Sequence, residues 1–517
     1  MTRARVLMVQ GASSHSGKTL LVAALCKIFF DAGYRVAPFK AQNMSLNSYI
    51  TKEGLEIARA QALQAFAAGI APEARMNPIL LKPKGNFISQ IMLLGKPYKD
   101  VDSRCYYSDF ALKEGWKAVK RALSSLLADY EVVFIEGAGS PAEVNLYDVE
   151  IANMRVAEYA KSPVVIVGDI DRGGVFASLY GTVKLLKPRH RKLVKGFIIN
   201  KFRGDLEVLK PGIEVLEKLT GIPTLGVIPY LEDLHLPDED SVSLEAFTCK
   251  EASKDLVVAV IRLPRISNFT DFTPLRYEPD ATLVYVKSSE ELRDLEPSLV
   301  ILPGTKNTAE DLAWLKYKGF PEVLAGLRKR GVPVIGICGG FQMLGVKLRD
   351  PHGIEGGQPR AYRGLGLLEV ETTFPAYRKK TSLVEFTVSC DCDLLRDAEG
   401  AVFKGYEIHM GVTRLSPGVK PAFKVIKDND IAVERVEGAV SDDGLVLGTY
   451  IHGLFDNSLL RRAVLNFARR NLGLPPLAER SRDAWEEWLK SLDKLAEVVR
   501  SHVDLDSLCK LAGLPPV

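Results

Sequence analysis

Pro333-Val-Ile-Gly-Ile-Cys-Gly-Gly-Phe-Gln-Met-Leu-Gly345 runs from an apolar stretch through a glycine-flanked cysteine into an amphipathic pattern. That order predicts a strand, a sharp turn and a helix. Gly336 and Gly340 stand two residues either side of Cys338, the spacing that lets a strained turn project its central side chain as a nucleophile. A helix N-terminus with free backbone N–H groups favours a thiolate and a developing oxyanion. Taken alone, the pattern fits equally a buried cysteine at a tight turn, so the rest of the chain has to decide.

A second glycine turn lies near the start. Val6-Leu-Met-Val9 leads into Gly11-Ala-Ser-Ser-His-Ser-Gly-Lys-Thr19 and then an Ala/Leu-rich helical stretch. In such a loop the backbone around Ser16 and Gly17 approaches phosphates, Lys18 neutralises them, and the Thr19 hydroxyl holds Mg²⁺. Counted from Gly11 the loop is one residue longer than the strict Walker spacing. His15 reads as a polar loop residue. Further buried-type strands follow, and they end in Glu136, in Asp169, Asp171 and Arg172, and in Asn200. Ligands gather at the carboxyl ends of strands in an open α/β sheet, and Glu136 at such an end suits Mg²⁺, directly or through water. Strand and helix patterns alternate from residue 6 to about 230, which predicts a doubly wound parallel sheet. A new strand series begins at Leu256-Val-Val-Ala-Val-Ile261. It continues through Arg265-Ile-Ser-Asn-Phe-Thr-Asp-Phe-Thr273 and Leu299-Val-Ile-Leu-Pro-Gly-Thr305 to the Cys338 turn, a second α/β unit.

At 517 residues the chain exceeds one ordinary core. The expected division is a synthetase domain over 1–235, an acidic linker over 236–254, a second domain over 255–460 and a helical tail over 461–517. Lys plus Arg number 68 against 64 Asp plus Glu, a balance that argues against a dedicated nucleic-acid surface and leaves anionic small molecules open. Seven cysteines, from Cys26 to Cys509, make no disulfide framework, and Cys390-Asp-Cys392 lacks companion ligands for structural zinc. A reducing cytoplasm is the expectation. No apolar run approaches the roughly 20 residues that cross a bilayer, so membrane insertion is not expected. An oligomer is compatible with all of this.

Cys338-Gly-Gly-Phe-Gln342, with Leu302-Pro-Gly-Thr305 upstream and His452 in Gly448-Thr-Tyr-Ile-His-Gly-Leu-Phe455, resembles the class I glutamine amidotransferases. From its first strand to about Asp456 the chain resembles the cobyric acid synthase family, glutamine-hydrolysing enzymes of cobalamin biosynthesis. Its phosphate loop is similar to the dethiobiotin synthetase branch. The resemblance implies Cys338 as nucleophile, His452 as its base, the N–H groups of Gly304 and Gly339 as oxyanion donors, and Gln342 as a glutamine-binding residue. The commonest pattern places a glutamate two residues after the histidine, where this chain has Leu454. The third member is therefore open, and His409 is the rival base.

The loop Pro38-Phe-Lys-Ala-Gln-Asn-Met-Ser-Leu-Asn47 carries amides and hydroxyls suited to a ligand rich in carboxylates and amides. Lys40-Ala-Gln-Asn-Met-Ser45 is similar to the loop of cobyric acid synthases rather than that of the sibling a,c-diamide synthases. Gln42, Asn43 and Asn47 are thus substrate candidates. Arg59 joins them by family position, with Glu56 and Gln61, on a stretch Glu56–Gln64 whose spacing predicts a helix, and so does Asn77 in the following segment Met76–Pro83. Adenine contact by Asn200 is implied too, although Arg203 stands where such a loop usually carries aspartate. The implied reaction uses ATP, Mg²⁺ and glutamine. The b, d, e and g carboxylates of adenosylcobyrinic acid a,c-diamide become acyl phosphates, which ammonia converts to amides. The alternatives are the a,c-diamide synthase or another ATP-dependent amidotransferase, and a partitioning-type ATPase switch with an inert glutaminase-like domain. The tail, with Trp485 and Trp488, is predicted to pack on the glutaminase half.

Overall fold

A computed structural model describes residues 4–85, 87–232, 234–237, 254–478 and 483–517. The chain forms two units. One comprises Met1–Ser45, Leu55–Glu239 and Trp488–Val517, the other Leu46–Gly54 and Asp240–Glu487. Most of the acidic 236–254 linker, including Asp238–Asp240, lies outside the described residues.

In the first unit, runs such as Val132–Ile135 and Val164–Val167 are apolar and buried throughout, as strands covered on both faces must be. They build a six-stranded sheet in the order Thr224–Pro229, Val194–Phe202, Val164–Asp169, Arg5–Gly11, Val132–Glu136, Val36–Phe39. All of its pairings are parallel. From Arg5–Gly11 the chain passes first to one side, then to the other, so the crevice at this switch point opens over Gly11, Glu136 and Asp169. Val9 pairs with Glu136 and Gly11 with Val167, which sets the phosphate loop beside both strand-end acids.

One face of this sheet is covered by the helix Lys18–Asp31 together with the end of the chain. Helix Ala484–His502 presents Trp488, Leu492, Leu495, Ala496 and Val499 as one buried stripe, packed with Leu7, Val9, Leu21 and Phe134. The Asp504 N–H donates to the Leu225 carbonyl at 2.7 Å. This corrects the expected tail. Only its first helix, Ser458–Asn471, belongs to the glutaminase half, while the segment from Trp488 onward completes the core of the nucleotide-binding half. The helix expected from Glu56 also starts later. Glu56–Ala58 is a short strand, with buried Glu56 ion-paired to Lys82, and the helix is Arg59–Ala67.

The second unit has a parallel sheet in the order Ala281–Val286, Leu256–Ile261, Leu299–Leu302, Val334–Ile337, Val446–Thr449, with Ala439–Val440 antiparallel at the edge. An antiparallel sheet adds Ile431–Glu437, Phe423–Asp428, Lys380–Val388, Val402–His409 and Ile451–His452. Within three residues the chain leaves Thr449 in the parallel sheet and enters the antiparallel one at Ile451, which places His452 opposite Tyr406. Among the described residues no helix is long and apolar enough to cross a membrane.

Candidate active sites

The apolar strand Val334–Ile337 delivers Cys338 to the carboxyl edge of the parallel sheet, where its N–H donates to Thr449 O at 2.8 Å. Cys338 has φ 53° and ψ −108°, strained for a residue with a Cβ and of the kind that persists only where surrounding structure over-determines it. Close packing explains the glycine beyond it. A Cβ on Gly340 would lie 1.9 Å from the Leu302 carbonyl oxygen. The Cys338 thiol donates to Ile408 O at 3.3 Å.

His452, 1 % exposed, has its Nδ1 at 2.6 Å from Asp271 Oδ2. Asp271 Oδ1 accepts from the Tyr406 hydroxyl at 2.9 Å and from the Gly453 N–H at 3.3 Å. The Tyr406 ring stacks on the imidazole at 5.2 Å. Burial alone would push the imidazole down, but the Asp271 charge and hydrogen bond, aided by Cys338, raise it to about 10. His409 is the opposite case: burial pushes it down to about 4, its Nδ1 lies 3.1 Å from Gly411 O, and it stacks on Tyr450. Of the two histidines, His452 is therefore the one with a carboxylate partner that favours its protonated form.

Asp271 was missed by the sequence reading. It lies 181 residues from His452, in the 3₁₀ segment Phe269–Tyr277, and the only signal was a polar pair, Asn268 and Asp271, among phenylalanines. Gly304 stands against His452: a Cβ there would be 3.3 Å from the imidazole Cε1. Gly339 abuts Thr305, whose backbone nitrogen would lie 3.0 Å from an added Cβ. Gln342 is 2 % exposed, and its amide is spent on the Thr308 hydroxyl (2.9 Å), Met410 O (2.7 Å) and the Tyr450 hydroxyl (3.2 Å). These bonds tie the helix after the elbow to Thr308, Met410 and Tyr450.

In the phosphate loop, a Cβ on Gly11 would sit 2.4 Å from Ser16 Oγ and 2.7 Å from Lys18 Nζ, so only glycine lets the loop fold back. Gly17 has φ 94°. Lys18 Nζ donates to Ser13 O at 3.1 Å. Asn200 Nδ2 donates to Ser16 O at 2.9 Å, which ties this strand end to the loop. Glu136 is fully buried. Its Oε1 accepts from the Thr19 hydroxyl (2.8 Å) and Lys40 Nζ (2.7 Å), and its Oε2 from Gln61 (3.2 Å) and Gln64 (2.6 Å). Thr19 and Glu136 are hard oxygen donors side by side, with a cationic group already drawn to the carboxylate, and this fits Mg²⁺. Lys40 and Gln64 are additions to the expected set. Asp169 Oδ2 pairs with Lys201 at 2.7 Å.

The substrate candidates divide. Gln42 Oε1 accepts from the Tyr106 hydroxyl, and Asn43 Nδ2 donates to Gln61 Oε1 at 2.9 Å, which links this loop to the ligands of Glu136. Arg59 is buried, its guanidinium 5.0 Å from the Trp488 ring centroid. Asn47 belongs with the glutaminase unit. Asn77 is bonded to backbone. Its amide donates to Lys40 O and Ile79 O and accepts from the Ala58 N–H, all within 3.2 Å, so it holds backbone together.

Two family models match. Residues 7–244 fit the CobQ/CobB/MinD/ParA nucleotide binding domain, and residues 257–459 the CobB/CobQ-like glutamine amidotransferase domain. The chain is 47% identical over 511 residues to a probable cobyric acid synthase of Methanosarcina mazei, covering 98% of this chain and 99% of that protein. It is 47% identical over 505 residues to a cobyric acid synthase of Dehalococcoides mccartyi, covering 98% of each. A Geobacillus cobyric acid synthase is 48% identical over 513 residues, again 98% of each. Likeness at this level along the whole length, joined to a phosphate loop in one unit and a cysteine elbow in the other, shows that the chain belongs to the cobyric acid synthase family of glutamine amidotransferases.

Proposed function

We propose that this protein amidates the b, d, e and g carboxylates of adenosylcobyrinic acid a,c-diamide, with nitrogen from glutamine and activation by ATP. The observation that carries the glutaminase half is Cys338 on a strained elbow in one unit with His452, whose imidazole is held by Asp271. The Cys338 thiolate attacks the side-chain amide carbon of glutamine. The C–N bond breaks, the His452 imidazolium gives its proton to the departing ammonia, and a γ-glutamyl thioester remains. Water then releases glutamate and returns the thiol. Gly304 and Gly339 supply the N–H groups that meet the oxyanion. Asp271 is a positioning residue, fixing the ring and stabilising its charge.

In the other unit, a carboxylate must first be activated because its leaving group would be oxide. The γ-phosphoryl group of ATP passes to the carboxylate oxygen, and ammonia displaces phosphate from the acyl phosphate. Lys18 and the N-terminus of helix Lys18–Asp31 oppose the phosphate charge. Thr19 and Glu136 would hold Mg²⁺, which when bound neutralises phosphate oxygens. Gln42 and Asn43 offer amides to the acid side chains, and Asn200 keeps the phosphate loop in shape.

Mass spectrometry of adenosylcobyrinic acid a,c-diamide after incubation with protein, ATP, Mg²⁺ and glutamine tests this. Four successive carboxylate-to-amide conversions are expected. No conversion, with glutamate release and ATP hydrolysis intact, would identify a different acid acceptor. Two amides added instead to the unamidated acid would identify the sibling activity.

Asp271→Asn isolates the carboxylate. It should lower kcat/KM for glutamine by on the order of 10²- to 10⁴-fold. Without the negative charge, burial prevails and the His452 pKa drops from about 10. The alkaline limb of glutamate release, where the imidazolium loses its proton, should therefore move to lower pH. An unmoved limb would show that Asp271 does not hold the catalytic charge.

A further inference from the structure

Cys390-Asp-Cys392 follows strand Lys380–Val388 in the glutaminase unit. The two thiols face each other, with Sγ to Sγ at 2.7 Å. Backbone bonds on either side fix the turn that brings them together. The Ser389 N–H donates to Ala422 O at 2.9 Å and the Cys390 N–H to the same carbonyl at 3.4 Å, while Cys392 O accepts from the Leu395 N–H at 3.1 Å. Leu394 and Leu395 are sunk in the core. Arg470 of helix Ser458–Asn471 donates to Asp393 O at 3.2 Å and pairs with Asp397 at 2.8 Å, which anchors the far side of the turn. Cys338 and His452 bond elsewhere, to Ile408 O and Asp271.

The pair is asymmetric. Cys390 is 4 % exposed, whereas Cys392 is half-buried. The hydrogen bond from Cys390 holds the Cys392 thiol below its ordinary value, against its partial burial and with help from the Leu395 and Leu394 N–H groups. Cys390 moves the other way, raised by sharing its proton with Cys392 and by burial. Cys26, Cys105 and Cys509 are raised as well. The thiolate is the attacking form in thiol–disulfide exchange. The more accessible sulfur is thus also the one that carries the charge, and its buried partner keeps the proton. Among the described residues no group of three His, Cys, Asp or Glu could hold a metal, which leaves the two sulfurs to react with each other.

We propose that Cys390 and Cys392 form a reversible dithiol–disulfide site whose reactant is a low-molecular-weight disulfide. Cys392 Sγ attacks one sulfur of that reagent, whose S–S bond breaks, and one thiolate leaves and takes up a proton. Cys390 then gives up its proton and attacks Cys392 Sγ, and the second reagent thiolate departs and is protonated. Overall, two protein thiols lose two electrons and two protons, and the reagent disulfide becomes two thiols. Excess reagent thiol runs the same steps backwards.

The test incubates the full chain with glutathione disulfide, alkylates the remaining thiols and maps, without reductant, the tryptic peptide 381–396, which carries both cysteines. In the folded protein this peptide should lose two hydrogens, escape alkylation and recover both thiols on addition of dithiothreitol. Cys390→Ser cannot close the ring and should stop with one glutathionyl group on Cys392. Cys392→Ser leaves only the buried, protonated partner and should take up none until urea unfolds the chain. Two alkylated cysteines in the unaltered protein overturn the site, as does a glutathionyl group that stays on Cys392 beside a free Cys390. Equal uptake by the two folded variants overturns Cys392 as the attacking sulfur. Ring closure is read from the unaltered protein alone, so misfolding of a variant leaves that result standing.

Discussion

Cys338→Ala should abolish glutamate release, by on the order of 10⁶-fold, while amidation with free ammonium continues. The thiol alone supplies the attacking atom, and removal of a nucleophile costs about as much as removal of its whole catalytic group. Alanine is the informative replacement because it keeps a Cβ at φ 53°, so the backbone strain of the elbow is unaltered. The lost partners include Ile408 O and the imidazole. Two assays decide the matter: glutamate release with glutamine, and mass gain on the acid substrate with ammonium. Loss of both would make Cys338 a structural residue.

The complementary result is expected at the phosphate loop. Lys18→Ala should reduce amidation by on the order of 10³-fold, the scale of losing a charge-stabilising donor, and equally with glutamine or ammonium as nitrogen source. In the resting loop Lys18 Nζ donates to Ser13 O, and the glycine turn at Gly11 and Gly17 does not depend on the lysine side chain for its backbone conformation. Basal glutamate release should survive. A variant that loses ammonium-dependent synthesis but keeps glutamine hydrolysis separates the two chemistries on one chain.

The parts of these sites that were legible in the sequence are those fixed by local geometry. A strand, glycines and one reactive side chain within a dozen residues define both the elbow at Cys338 and the loop at Lys18 and Thr19, and the strand-end position of Glu136 follows from its apolar run. What was not legible depends on register between distant strands. Asp271 reaches His452 only because the chain switches sheets between Thr449 and Ile451. Lys40 and Gln64 converge on Glu136 from separate elements, and no spacing in the sequence encodes that. The backbone bonds of Asn77 and Asn200 were not legible either, since an amide bonded to backbone looks, in sequence, like one that awaits a ligand. The tail misled because an amphipathic stripe such as Trp488 to Val499 says that a helix is covered and not by which half.

The location of that stripe has a consequence for how the protein is made. A ribosome releases the phosphate loop and its sheet first, then the whole glutaminase unit, and only afterwards Trp488, Leu492, Leu495 and Val499. The part of that face which helix Lys18–Asp31 does not cover thus stays open to water during most of translation, against the usual N-terminal-first order of domain folding. Chains cut short after Glu487 would expose that face permanently, which makes them substrates for chaperones and proteases even with every residue of both sites present. Liberating the nucleotide-binding half as an independent fragment would therefore require grafting the final helices back onto it.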